Sequence, residues 1–207
     1  MKPDGNREVR QVVKGVELRQ APEGSKSPGT VVGYAAVFGV YSADLGMFRE
    51  KIAPGAFSKA LARSDARALQ DHDPSRLLGR QSAGTLRLRE DATGLLAEYD
   101  LPDTTDGRNV AELIRRGDIQ GQSFCFTTAL DAWEFGSETS LRTLIEIGEL
   151  FDVGPVTYPA YEETSVAMRA FNTAREAHDR SKATEANPSH ALESERDRDR
   201  ARLVEVS

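Results

Sequence analysis

The chain has 207 residues, 27 Lys+Arg against 33 Asp+Glu, and a formal net charge of -6. That size is one domain, or one domain with tails, and the acidic balance gives no general attraction to nucleic acid or an anionic membrane. One cysteine rules out an internal disulfide or a multi-cysteine zinc site, and three histidines argue against a histidine-rich metal centre. No apolar run approaches the roughly 18 residues that span a bilayer, and residues 1–20 lack the apolar core of a secretory signal.

Residues 1–29 read as a polar N-terminal segment with a turn-rich stretch, Gly24 to Gly29, and with Val12 to Leu18 able to add an edge strand. A compact domain is expected over 30–170. Thr30 to Phe38 is rich in β-branched and aromatic residues, as strands are. Phe57 to Ala62, behind Pro54-Gly55, predicts a short helix. Ala66 to Leu69 predicts a short apolar strand. Thr85 to Arg89 alternates with period two, and Leu95 to Leu101 follows a loop carrying Gly94, so the two read as a hairpin. Arg108 to Arg116 places Val110, Leu113 and Ile114 on one helical face, with Thr105-Asp106 as an N-cap and Gly117 as a stop. Ile119 to Thr128, Ala132 to Phe135, Leu141 to Ile147 and Leu150 to Thr157 complete the strands. The pattern predicts an α+β, mainly β fold: a bent sheet or closed β-barrel with a few helices packed outside. Residues 171–207 are dense in alternating charges, which predicts a disordered tail rather than a solvated helix.

Three segments combine residue types that carry chemistry. In Gln70 to Ser75, His72 follows a strand end, where an imidazole can serve as general base near neutral pH. The competing reading is a loop histidine held in an Asx-Pro turn between Asp71 and Asp73. A metal site at Asp71, His72 and Asp73 is disfavoured because neighbours on a strand point to opposite faces. In Gly117 to Phe126 two glycines precede Ser123 at a strand start, which permits another backbone to approach closely. Ser123, Cys125 and Thr127 share one face, and Phe124 and Phe126 the other, so the alternative is a half-buried core strand. Cys125 as nucleophile is the third option, ranked behind packing. In Glu146 to Tyr161, carboxylates interrupt apolar strands. Asp152, between Phe151 and Val153, is costly to bury unless paired, and an imidazole partner would resolve that cost. Glu146 and Glu149 fit a solvated face as readily.

In this order these segments resemble the caudoviral prohead, or head-maturation, serine protease family, distantly similar in fold to the herpesvirus assemblins. The resemblance rests on Gly33 to Phe38 leading to Glu50 to Phe57, on His72-Asp73-Pro74 with Leu78-Gly79-Arg80, on Gly121-Gln122-Ser123-Phe124 with Phe126, and on Leu150 to Tyr161 with Thr164. It implies a serine endopeptidase that cuts scaffold, or a scaffold-like region of the major capsid protein, and itself. It implies His72 as the catalytic histidine, Ser123 as nucleophile, and Asp152 as third member with Glu149 as alternative. Gly121, Gln122 and Phe124 become substrate-binding candidates. Backbone N–H groups, with an arginine such as Arg142, are candidates to stabilise the oxyanion. No cofactor or metal is implied. The implied partners are major capsid protein, scaffold and the portal-bearing prohead shell, with no membrane and no specific nucleic acid, and a homo-oligomer is an expectation. The implied place is the host cytoplasm, inside the assembling prohead, from a phage or a prophage. Asp71, Cys125 and Gly154 depart from the family's usual Asn, Gly and Ser. The alternative to an enzyme is a non-catalytic scaffold or capsid-assembly component with the same fold.

Overall fold

The computed structural model describes residues 7–12, 15–21, 23–158 and 164–186. The chain divides into two compact units, 1–168 and 169–207. Among the described residues the first holds ten strands in two open sheets: β1 (Glu8–Val12), β2 (Glu17–Arg19), β3 (Thr30–Val37), β4 (Phe48–Ile52), β5 (Arg67–Leu69), β6 (Leu77–Arg80), β7 (Leu86–Glu90), β8 (Gly94–Asp100), β9 (Gly121–Glu134) and β10 (Ser140–Val156). Two helices, α1 (Ser58–Arg63) and α2 (Thr105–Arg116), interrupt them. The fold is thus α+β and mainly β, with bent open sheets instead of a closed barrel. The described part of the second unit belongs to α3 (Thr164–Ala186). The segment expected as a disordered tail is therefore helical as far as Ala186. Residues 187–207 and the Pro159 to Tyr161 end of the last motif lie outside the described residues.

The polar segment 1–29 contributes two edge strands. β1 borders the six-stranded sheet, ordered β1-β9-β10-β5-β6 with β4 also on β10. β2 borders the four-stranded sheet, ordered β2-β3-β8-β7. The expected β7–β8 hairpin forms, Leu86 opposite Tyr99 through Glu90 opposite Leu95. The four short strands expected after Ile119 fuse into one long hairpin, β9–β10. Its register shifts, the last of them between Leu150 and Asp152, are bulges that let such long strands bend without a turn residue. β10 is parallel to β4 at one end and to β5 at the other.

Residues of both sheets and both helices share one core. Phe57 stacks edge-on against Phe124, which lies 4.9 Å from Phe126 in a stacked pair. α2 buries Val110, Ala111 and Ile114, close to the expected stripe. Its cap is Thr104, one residue earlier than expected, whose hydroxyl accepts from the Gly107 N–H; Gly117 ends the helix in the left-handed region at φ 82°.

Candidate active site

The β9–β10 hairpin fixes two of the polar side chains singled out above. Ser123 sits opposite Gly154, and Cys125 opposite Asp152. The third arrives from outside the hairpin. β5 runs parallel along the end of β10, with Arg67 opposite Asp152 and Ala68 opposite Val153, and then leads into a 3-10 turn at Gln70–His72. Gly154 allows this approach: a Cβ there would overlap the carbonyl oxygen of Leu69. Gly154 is thus the point where β5 closes onto β10.

The turn itself is strained. Asp71 and His72 both adopt positive φ, 52° and 57°, a region that costs non-glycine residues on the order of 1–3 kcal/mol each. Two carboxylates hold it. Asp71 accepts from the Thr157 N–H at 2.7 Å and its hydroxyl at 3.0 Å, tying the turn to the chain just beyond β10. Asp73 accepts from the N–H and hydroxyl of Ser75 at 2.9 and 2.7 Å, so the Asx turn of the competing reading forms at Asp73-Pro74 alongside the histidine's contacts.

This strained turn aims the imidazole between the two hairpin strands. His72 Nδ1 lies 2.5 Å from Asp152 Oδ1, and His72 Nε2 lies 2.6 Å from Ser123 Oγ. Burial of the Asp152 carboxylate is offset by this pairing, as the apolar setting required. Glu149 is exposed and lines a separate cleft with Arg63 and Asp65. Cys125 is buried on β9.

The substrate-binding candidates have unequal surroundings. Gly121 and Gln122 are buried in β9, and the side-chain amide of Gln122 has no hydrogen-bond partner. Phe124 is buried in the aromatic core and borders an open groove beside β1. Arg142 does not face the serine as an oxyanion donor. Arg142 is 1% exposed and its donors go to Glu8, Glu50, Asp131 and the Thr128 hydroxyl. Arg10 joins the same cluster, donating to Glu8 at 2.8 Å and to Glu50 at 2.9 Å. Burial would push the Glu8 carboxyl up, but the Arg142 hydrogen bond and the charges of Arg10 and Arg142 outweigh it and hold Glu8 below the usual carboxylate range. This cluster was missed in the sequence because its members come from β1, β4, β9 and β10, and only the register brings them together.

A carboxylate, an imidazole and a hydroxyl in relay are the arrangement by which serine hydrolases activate a nucleophile. The class defined by fold and site is therefore that of serine hydrolases built on an open, mainly β scaffold. The chain belongs to the caudovirus prohead serine protease family, whose model matches residues 15–179. Among solved structures it is similar to the bacteriophage T4 capsid assembly protease, at 12% identity and a TM-score of 0.49, over 74% of this chain and 98% of that one. Among curated proteins none matches.

Proposed function

We propose that this chain is a head-maturation endopeptidase that cuts scaffold, or the scaffold-like region of the major capsid protein, and itself, inside the assembling prohead in the host cytoplasm. The observation that carries this reading is the Asp152–His72–Ser123 relay, 2.5 and 2.6 Å at its two links, in a chain of the prohead protease family. His72 Nε2 takes the Ser123 proton as Oγ adds to a peptide carbonyl, and returns it to the leaving amine. Water activated by the same nitrogen then hydrolyses the acyl-enzyme. Asp152 holds the Nδ1–H tautomer and the ring orientation. The substrate is an extended peptide added as a strand at a sheet edge. Residues 30–170 are assigned as the protease domain, and 171–207 as a segment that recruits the enzyme to scaffold and is removed by self-cleavage. A non-catalytic scaffold role gives no reason for three polar side chains to meet in relay.

Co-expression with the major capsid precursor tests the proposal. Wild-type chain should shorten the precursor and lose mass from its own C-terminal region. Ser123→Ala should leave both full length with an unchanged circular dichroism spectrum. Full processing by Ser123→Ala would sink the assignment.

A further inference from the structure

A catalytic imidazole has to be placed as well as aimed. β5 fixes the histidine turn on its upstream side, with Arg67 and Ala68 opposite Asp152 and Val153. Downstream the loop closes on itself. The Asp73 N–H donates to the Gln70 carbonyl at 3.0 Å, the Arg76 N–H to the Asp73 carbonyl at 2.9 Å, and the Gln70 N–H to the Arg76 carbonyl at 3.2 Å. These bonds set the shape of residues 70–76 and leave their position over the β9–β10 hairpin open. The contact of His72 with Ser123 cannot supply that position, because it is spent when the hydroxyl attacks.

Asp71 supplies it. Its two oxygens divide the donors of one residue: Oδ1 accepts from the Thr157 N–H at 2.7 Å and Oδ2 from the Thr157 hydroxyl at 3.0 Å. Thr157 is the first residue beyond β10, the strand that carries Asp152. The carboxylate thus fixes the turn to the Asp152 strand at a second point, beyond the β5 pairing. Two acceptor oxygens facing an N–H and a hydroxyl are what an ionised carboxylate offers. Arg76 also approaches Asp71 Oδ2, at 3.7 Å, but both side chains are partly exposed and that pair adds little. Aspartate tolerates positive φ better than most residues, so its presence at φ 52° has a second reading, local backbone preference alone. The two readings part at glycine, which adopts that φ freely and has no oxygen with which to tie.

Building on the endopeptidase reading, we propose that Asp71 is a positioning residue for the reaction: its bonds to Thr157 hold the strained turn against the end of β10, and so hold His72 between Asp152 and Ser123. With the tie cut, the turn relaxes toward negative φ and the imidazole falls out of line with its two partners. The sheet edge that takes the peptide is untouched, so binding is kept while the chemical step slows.

The test is steady-state cleavage of a fluorogenic peptide that spans the cut mapped by mass spectrometry in the capsid precursor. Asp71→Ala, with an unchanged circular dichroism spectrum, should lower kcat about a hundredfold and leave KM within about threefold of wild type. Asp71→Asn, which keeps an acceptor for the Thr157 N–H, should recover kcat to within about fivefold of wild type. Asp71→Gly should stay as slow as Asp71→Ala. Thr157→Val deletes only the hydroxyl, at an exposed site, and should lower kcat about fivefold in the wild-type background and not at all in Asp71→Ala. Recovery of the rate by glycine overturns the proposal, as does a loss carried by KM, or additive effects of the two substitutions. Should Asp71→Ala not fold, Thr157→Val decides alone, and an unchanged kcat overturns it. Cleavage of the peptide by Ser123→Ala at the wild-type rate is a separate result, which removes the endopeptidase reading itself.

Discussion

At the residue scale, the site turns on two residues that a composition count would pass over. Gly154 sits where any side chain would strike the Leu69 backbone, so Gly154→Ala must push β5 off β10 and carry His72 with it. We expect kcat/KM to fall at least a hundredfold, with only a modest loss of thermal stability, because the long β9–β10 pairing is untouched. Steady-state cleavage of a peptide substrate beside a melting curve checks this. Asp152 and Glu149 separate equally cleanly. Asp152→Asn keeps the contact but offers the wrong tautomer to His72, which should lower kcat by about 10²–10⁴. Glu149→Gln should stay within twofold of wild type, since that carboxylate is exposed in another cleft. The motifs pointed to His72, Ser123 and Asp152 because the family pattern marks them. The positive φ of Asp71 and His72 left no such mark, because nothing in a run of non-glycine residues announces a left-handed turn.

At the element scale, legibility followed locality. The β7–β8 hairpin and α2 were readable because their signals lie within a dozen residues: a glycine loop between alternating strands, a capping threonine, a terminal glycine. β4 and β6 were not read, being five and four residues long with charged members, Arg49, Glu50 and Lys51 in one and Arg80 in the other. β1 was overlooked for the same reason. Its sequence, Glu-Val-Arg-Gln-Val, looks solvated, and it is half-buried, with Glu8 fully so, only because β9 and the Arg142 cluster receive it. That cluster sets two guanidiniums, Arg10 and Arg142, against the carboxylates of Glu8, Glu50 and Asp131. Removing one member leaves buried charge uncompensated. Arg142→Ala should therefore cost about 3–5 kcal/mol in unfolding free energy, read from urea denaturation.

At the scale of the whole molecule, the cluster makes the docking of β1 depend on pH. The folded Glu8 carboxyl titrates below its unfolded value. The stability it contributes is complete above the ordinary glutamate range, about pH 4.3, and is lost as pH falls through the lowered folded value. Acidification should then release β1 before the sheets melt. Amide exchange in residues 8–12 should speed up below about pH 4 while residues 141–153 remain protected, and Glu8→Gln should remove the pH dependence. Simultaneous loss of protection in both segments would contradict this order.

The pairing of β1 with β9 also has a consequence for the order of events during synthesis. Arg10 and Ser123 are 113 residues apart in sequence, and the chain is made from its N-terminus. When β9 emerges, the strand that pairs with it has long been made. The β1–β9 pairing can therefore form as soon as β9 is complete, with no wait for a later segment of the chain.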